Sequence, residues 1–248
     1  MRELPLSRRA PSYFELSVDS TNLVLRRMAE TAADGTAVAA LEQSAGRGRS
    51  GRSFLSPAGG LYLSMLLRPD VEAERLPTLT PVAGVAVCRA IERVCGVSGA
   101  IKWPNDVVLG GKKICGILVE SVFGSGAPCV IVGIGVNANT REFPAELRAI
   151  AGSIRDVTGR DCDLGQLAAV LMEELDACYA AWLAGADEAL EEYRRRCLTV
   201  GREVLVGGRR GFARAIGEDY SLLVGYPDGT EEAVRFGEVS VRGLYGYV

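Results

Sequence analysis

Three arginines and three glycines are concentrated in one short segment, Gly46-Arg47-Gly48-Arg49-Ser50-Gly51-Arg52. A guanidinium is permanently charged and presents a planar fork of N–H donors that suits phosphate or carboxylate. Glycine lets backbone N–H groups come close to an anion. No acidic residue lies within the segment, so it predicts a loop that closes over a phosphate-bearing ligand. Because like charges repel, we expect this loop to be mobile until an anion binds.

Other interpretations of this segment are weaker. Gly46-x-Gly48-x-x-Gly51 matches the letters of a dinucleotide-binding fingerprint, but that motif opens a helix, and here a strand follows instead. A nucleic-acid-binding segment is a second alternative. It is disfavoured by the absence of interleaved aromatic residues and by a formal net charge of −3 for the chain. A solvated loop with no ligand is the third.

A second unusual segment is Lys102-Trp103-Pro104-Asn105-Asp106, which places a cation, a carboxamide and a carboxylate around a rigid proline. Lys102 could contact a phosphate, and Asp106 could contact a metal-bound phosphate or a ligand hydroxyl. The alternative is an ordinary turn in which Asn105 and Asp106 bond to their own backbone.

Two glycine-containing strands form the third and fourth segments. Lys113 begins an apolar strand, so we expect its ammonium at the mouth of that strand, and Gly116 within it indicates close approach of a ligand or another backbone. Gly133 and Gly135 leave one face of the next strand without side chains, which would form a slot for a flat ligand. Solvated lysines and close packing of a helix on the sheet are the structural alternatives.

Composition excludes several function classes. The 248 residues include no histidine, which removes histidine triads, imidazole bases and histidine–metal sites. The seven cysteines include no CxxC pair and are expected to be reduced core thiols of a cytoplasmic protein. Neither a signal peptide nor a membrane span is predicted. A chain that is 48% hydrophobic can form one large domain, with or without a small appendage.

Hydrophobic periodicity predicts the elements that position these segments. Strands are expected at 13–18, 36–41, 61–67 and 129–137, a hairpin at 107–122, and helices at 21–33, 76–95, 164–183 and 186–196. After Cys197 short strands recur at 204–206, 212–216, 221–226, 232–236 and 239–241, which is typical of a small barrel. We therefore expect a catalytic domain over residues 1–197 and a second domain over 198–248.

Taken together, the ordered segments resemble the biotin–protein ligases, also called biotin–[acetyl-CoA-carboxylase] ligases. The resemblance extends over residues 13–248. The matching segments are Asp19-Ser20-Thr21-Asn22, Gln43 to Arg52, Ser56-Pro57, Leu61 to Ser64, Lys102 to Asp106, Lys113 to Glu120 and Gly133 to Asn137. It implies an α+β fold in which helices flank a mixed β-sheet, as in class II aminoacyl-tRNA synthetases, followed by a small SH3-like β-barrel.

The resemblance implies a two-step reaction that uses ATP, biotin and Mg²⁺. The biotin carboxylate attacks the α-phosphate of ATP to give biotinyl-5′-AMP, and a lysine of a biotin carboxyl carrier protein then accepts the biotin. No enzyme nucleophile is needed, which agrees with the lack of histidine. Lipoate or octanoate ligases and transferases of related fold are the nearest alternative. A nucleic-acid-binding protein and a catalytically silent biotin-binding module are further ones.

The same resemblance assigns expected roles to individual residues. Lys113, Arg47 and Arg49 are the expected catalytic residues, and Lys113 would bridge the biotin carboxyl and the α-phosphate. The expected biotin-binding residues are Ser20, Thr21, Asn22, Gln43, Arg47, Gly48, Arg49, Lys113, Gly116 and Gly133. The expected ATP-binding residues are Arg47, Arg49, Arg52, Lys102, Asn105, Asp106, Lys113 and Asn137, with Asp106 also serving Mg²⁺ through the phosphates.

Two features of the chain bear on how the resemblance is applied. Relatives often carry tryptophan just after the arginine loop, where this chain has Phe54, whose smaller ring predicts weaker retention of the ligand. Few residues precede the first predicted strand, so no DNA-binding domain and no DNA partner are expected. Relatives include monomers and dimers, so a homodimer is possible.

Overall fold

Eight strands form one mixed sheet that carries most of the chemistry-bearing segments. The computed structural model describes residues 1–123 and 128–245. The strands are β1 (Arg2–Glu3), β2 (Ser12–Val18), β3 (Ala37–Gln43), β4 (Leu61–Leu67), β5 (Ala100–Lys102), β6 (Asp106–Leu109), β7 (Lys112–Val122) and β8 (Cys129–Val136), in the spatial order β1-β2-β3-β4-β8-β7-β6-β5. Of the pairings described, β2 with β3 is parallel and the others are antiparallel. The predicted mixed sheet is confirmed.

Helices cover one face of this sheet and leave much of the other face for a cavity. Alternate residues of β4, namely Leu61, Leu63, Met65 and Leu67, belong to the main core together with α2 (Leu79–Cys95), α4 (Leu164–Leu183) and α5 (Glu188–Arg196). The short helix α3 (Ile154–Thr158) begins at a capping box formed by Ser153 and Asp156. On the opposite face, α1 (Thr21–Met28) packs Val24 and Leu25 in a separate apolar cluster.

Local patterns predicted the turns better than the helix ends. Gly110 and Gly111 both have positive φ, 55° and 76°, as the predicted two-residue hairpin requires. The helix expected over residues 21–33 ends at Met28, and the Arg68 guanidinium, from a distant strand end, donates to the carbonyls of Ala29 and Ala32 that follow it. The helix expected from residue 76 begins at Leu79, after a 3₁₀ segment that contains Pro77.

The C-terminal strands form a second, open sheet. They are β9 (Glu203–Val206), β10 (Arg209–Ile216), β11 (Leu222–Gly225), β12 (Glu231–Val234) and β13 (Val239–Val241), in the order β12-β11-β10-β9-β13. The predicted SH3-like barrel is not confirmed, because the five strands form an open sheet and within the described residues the edge strands β12 and β13 do not pair. Residues between these strands instead contact the arginine loop, as described below. The domain boundary near residue 198 remains a prediction.

The two sheets are joined by direct contacts around Trp103, which is fully buried. Its backbone N–H donates to Thr199 Oγ1 at 3.0 Å, and its indole Nε1 donates to the Tyr220 carbonyl at 2.9 Å. Trp103 precedes a cis peptide bond to Pro104. Within residues 1–123 and 128–245, no helix combines the length and apolarity needed to cross a bilayer.

Candidate active site

A cavity of about 340 Å³ lies on the face of the large sheet opposite α2. Fourteen of the fifteen residues expected to bind ligand line it: Ser20, Thr21, Asn22, Gln43, Arg47, Gly48, Arg49, Arg52, Lys102, Asn105, Asp106, Lys113, Gly116 and Gly133. Asn137 is not among the lining residues. Its backbone N–H instead donates to the Ile114 carbonyl at 2.8 Å, which ties the end of β8 to β7.

The floor of the cavity is built from glycines on adjacent strands. Gly116 of β7 lies opposite Gly135 of β8, and Gly135 lines the cavity, as expected for the predicted slot. A Cβ atom at Gly135 would lie 2.5 Å from the Phe54 ring, and one at Gly116 would lie 3.0 Å from it. The Phe54 ring therefore rests on this floor. A flat ligand that uses the same floor must share it with Phe54 or displace the ring.

One end of the cavity is neutral and polar, and its hydrogen bonds have a defined direction. Asn22 Nδ2 donates to Glu120 Oε2 at 2.8 Å, which leaves Asn22 Oδ1 to accept from Ser64 Oγ at 2.6 Å. Since that bond uses the Ser64 proton, the 2.7 Å contact between Ser64 Oγ and Thr21 Oγ1 needs the Thr21 hydroxyl as donor. Glu120 thus fixes the orientation of the Asn22 amide at the cavity, with Nδ2 toward the carboxylate and Oδ1 toward Ser64.

Gln43 and Gly133 support the same polar end. Gln43 Oε1 accepts from the Thr21 backbone N–H at 2.8 Å, and Gln43 Nε2 donates to Ser56 Oγ at 2.9 Å. A Cβ atom at Gly133 would lie 2.1 Å from Asn22 Oδ1. Glycine at this position therefore makes room for the Asn22 amide oxygen.

The arginine loop is an ordered hairpin turn. Ser50 and Gly51 have φ of 55° and 74°, and the Arg52 N–H donates to the Arg49 carbonyl at 3.2 Å. Closer to the strands, the Phe54 N–H donates to the Gly46 carbonyl at 2.9 Å. The loop is held by its own backbone in addition to its side-chain contacts.

Each arginine of the loop contacts an oxygen from a distant part of the chain, contrary to the expectation of a crowded, unpartnered loop. Arg47 Nη2 lies 3.1 Å from Glu120 Oε1, and Arg52 pairs with Glu238. Arg49 donates to Asn105 Oδ1 at 2.9 Å, and burial lowers the pKa of its guanidinium. These partners offset the like-charge repulsion on which the prediction of mobility rested.

The cationic end of the cavity centres on Lys113 and Asp106. The Lys113 ammonium is not a lone cation, since its Nζ lies 2.7 Å from Asp106 Oδ1. The register of β6 and β7 shifts here, so that Val107 pairs with Cys115 while Val108 pairs with Lys113. Such a bulge redirects a side chain. We take it as the local reason why Lys113 meets Asp106 at the cavity.

Lys102 lies close to this ion pair. Burial lowers the pKa of Lys102, an effect that the Asp106 charge opposes and the Lys113 charge reinforces. The Lys102 ammonium lies 5.5 Å from the centre of the Tyr245 ring, and Tyr245 Oη lies 3.5 Å from Asp106 Oδ2. A buried cation beside a paired carboxylate and lysine gives this end of the cavity a positive field suited to polyphosphate.

The donor set for a divalent cation is sparse. No cluster of three acidic, cysteine or histidine side chains suitable for a metal occurs in the described part of the chain. Asp106 and Glu238 are the carboxylates that line the cavity, and each pairs with a cation. Mg²⁺ is commonly held by one or two carboxylates plus substrate phosphates and water. The residues fit a magnesium ion that arrives with phosphates better than a resident one.

Several residues at the cavity were given no role by the sequence. Glu238 and Tyr245 come from the C-terminal sheet region, far from the motifs along the chain. Ser64 is the one polar residue of the strand Leu61–Leu67, and that break in an apolar run was the available signal. Glu120 ends the segment that begins at Lys113, yet nothing in its spacing indicates contact with Asn22 and Arg47.

An eight-stranded mixed sheet with helices on one face and this cavity on the other has the biotin protein ligase fold. Residues 14–137 match the model of the biotin/lipoate A/B protein ligase family. Among solved structures, the chain is similar to the biotin protein ligase from Aquifex aeolicus in complex with biotin and ATP. The TM-score is 0.82 and the identity 32%, over 93% of this chain and 98% of that one.

Curated relatives agree with the family match. The chain is 35% identical over 217 residues to the biotin–[acetyl-CoA-carboxylase] ligase of Mycobacterium tuberculosis, covering 83% of this chain and 79% of that protein. It is 41% identical over 151 residues to the bifunctional ligase/repressor BirA of Bacillus spizizenii, covering 59% and 46%. Several matches therefore span about half the length of the curated relative. The chain belongs to the biotin/lipoate A/B protein ligase family.

Proposed function

We propose that this protein is an ATP-dependent biotin–protein ligase. It would form biotinyl-5′-AMP from biotin and ATP and transfer biotin to a lysine of a biotin carboxyl carrier protein. The observation that carries the proposal is the asymmetry of the cavity, which is neutral and glycine-floored at one end and cationic at the other. The names of the Mycobacterium and Paracoccus relatives, and the biotin and ATP bound to the Aquifex protein, support the same substrates.

The neutral end suits the ring system of biotin. The Asn22 side chain lines the cavity and would hydrogen-bond the ureido group, while a flat bicyclic ring would share the glycine floor with the Phe54 ring or displace it. The acyl chain would then run toward Lys113, so that its carboxylate approaches the cationic end. The hydroxyls of Ser20 and Thr21 lie beside Asn22 at the start of α1 and complete this polar wall.

The chemistry needs neutralisation of charge and no enzyme nucleophile. A biotin carboxylate oxygen attacks the α-phosphorus, the bond from that phosphorus to the bridging oxygen breaks, and pyrophosphate leaves. Lys113 would contact both the attacking carboxylate and the α-phosphate, and Arg47, Arg49 and Arg52, which line the same cavity, would neutralise the phosphates. In the second step a carrier lysine amine attacks the acyl carbon, and AMP leaves.

Magnesium would enter this scheme with ATP. Asp106 and Glu238 are the side chains that could hold it, and its chemistry would be to neutralise phosphate charge. The remaining negative charge of the phosphates would be neutralised by Lys102, Lys113 and the loop arginines.

Mass spectrometry of a purified carrier domain, after incubation with the protein, ATP, Mg²⁺ and biotin, tests the proposal directly. We expect one biotinyl group per carrier, attached at a single lysine and dependent on ATP. Equimolar biotin and lipoate in the same tube separate this activity from lipoate transfer, which the family also includes. Preferential lipoylation, or no modification of the carrier, would contradict the proposal.

A further inference from the structure

Two cysteine thiols meet in the core on the helical face of the large sheet, away from the cavity. Cys95 is the last residue of α2, and Cys162 lies between α3 and α4. Their Sγ atoms are 3.3 Å apart, although the residues are 67 positions apart in the chain. All seven cysteines are buried and reduced, and no second sulfur–sulfur contact of this kind occurs within residues 1–123 and 128–245.

Both cysteines are anchored by their neighbours. The Cys162 backbone N–H donates to Asn139 Oδ1 at 2.7 Å, and Asn139 Nδ2 donates back to the Cys162 carbonyl at 2.9 Å. Cys95 is fixed by its helix, which ends at the left-handed Gly96. A disulfide bond is about 2.05 Å long. Small shifts of two side chains would therefore bring the sulfurs to bonding distance without refolding either segment.

The surroundings make the two sulfurs chemically different. The hydrogen bond from the Cys162 thiol, together with the charge of Arg160, lowers the pKa of Cys95 despite its burial. The same hydrogen bond and burial raise the pKa of Cys162. Cys95 is therefore the sulfur of the pair that loses its proton more readily. Their exposed fractions, 6% and 9%, favour small oxidants over bulky ones.

We propose that Cys95 and Cys162 form a reversible disulfide when the protein meets a small peroxide. The Cys95 thiolate attacks one oxygen of the peroxide, the O–O bond breaks, and a sulfenic acid and water result once the leaving hydroxide is protonated. The Cys162 sulfur then attacks the Cys95 sulfur, the S–O bond breaks, and its thiol proton leaves with the hydroxide as a second water. Two thiols are oxidised by two electrons, and one peroxide is reduced to two waters.

The test uses the full chain, reduced, freed of reductant and treated with one equivalent of hydrogen peroxide. Unfolding in N-ethylmaleimide then labels the remaining thiols. We expect five labels instead of seven. We also expect a linked pair of tryptic peptides, residues 94–102 and 161–194. Because the second peptide also contains Cys178, fragmentation must place the link at Cys162. Dithiothreitol before unfolding should restore seven labels, and the linked form should melt several degrees higher than the reduced form.

Cys95→Ser and Cys162→Ser should each abolish the link, whereas Cys178→Ser, which removes a buried thiol near Arg89, should retain it. Seven labels after peroxide would overturn the proposal. So would a link through Cys178, or irreversible oxidation of Cys95 without a link. These readouts need neither biotin nor ATP, so they stand or fall independently of the proposed activity.

Discussion

Replacing Lys113 by methionine is the sharpest test of the cationic end of the cavity. The substitution keeps the length of the side chain and removes its charge. In the proposed reaction Lys113 would lie between the carboxylate and the α-phosphate, and in the structure its ammonium is 2.7 Å from Asp106 Oδ1. Loss of one preorganised donor of this kind typically lowers the rate about 10²–10³-fold, or roughly 3–4 kcal/mol in the transition state. We expect that loss in biotin-dependent ATP–pyrophosphate exchange.

The same substitution has a separate cost in stability, because Asp106 is only 7% exposed. Leaving a buried polar group without its partner costs about 1–3 kcal/mol. We expect the low end of that range, since Lys102 remains close and the Lys113 side chain is 26% exposed. Adding Asp106→Asn should recover part of the unfolding free energy while leaving the exchange rate low. Thermal melting and exchange kinetics on the same samples separate the two effects.

Lys112→Met is the matched control, because it removes the same charge from the adjacent residue. Lys112 donates to the Arg148 carbonyl and does not line the cavity. The Lys112→Met protein should catalyse ATP–pyrophosphate exchange at close to the rate of the unsubstituted protein. A folded Lys113→Met protein with an unaltered rate would remove Lys113 from the mechanism. An equal loss in both variants would show that net charge, and not position, is responsible.

Four further substitutions test other features. Glu120→Gln should weaken biotin binding about tenfold in calorimetry, because the Asn22 amide loses the anion that orients it, whereas Glu173→Gln on the surface should change nothing. Lys102→Arg should shift the alkaline limb of kcat/KM for ATP to higher pH. Because the pKa of Lys102 lies below its ordinary value of 10.5, its charge is lost earlier as the pH rises, whereas arginine keeps its charge; an unmoved limb would exclude Lys102. Glu238→Gln should raise ATP affinity a few-fold by freeing Arg52, and weaker binding would argue that the pair organises the loop. Gly84→Ala in α2 should raise the unfolding free energy by about 0.5–1 kcal/mol, because alanine loses less backbone entropy than glycine in a helix. Its Cβ would fit without a clash, 3.5 Å from Ile101 Cδ1, and a lower melting temperature would indicate crowding.

Much of the large sheet could be predicted because its signals are local. The strand at 61–67 and the helix at 164–183 were predicted with the bounds that the structure shows. Both are long apolar elements bounded by polar or turn residues. The paired glycines at 110 and 111 indicated the hairpin in the same way, because a type I′ turn has positive φ at both of its central positions.

The features that were missed depend on contacts between distant segments. The chain leaves α1 after Met28 and its next carbonyls, Ala29 and Ala32, accept from Arg68, a distant contact that nothing near residue 28 indicates. The five-stranded C-terminal sheet was expected to close, but closure depends on how edge strands meet and not on the strand pattern. Likewise the residues that line the cavity were largely predicted from motifs, whereas Glu120 and Glu238, which pair with Arg47 and Arg52, were not.

Exposure decides which of these carboxylates can give up its cation to a phosphate. The Glu238 side chain is 51% exposed, so it returns to water at little cost when Arg52 turns to an anion. Asp106 is nearly buried, so it must keep Lys113, Lys102 or a phosphate-bound cation beside it. We therefore expect the ATP phosphates to replace Glu238 as the partner of Arg52. At the Lys113–Asp106 pair we expect them to bind alongside without separating the two residues. On this view the acidic residues do not oppose binding, because they hold an otherwise repulsive set of cations in place until the phosphates arrive.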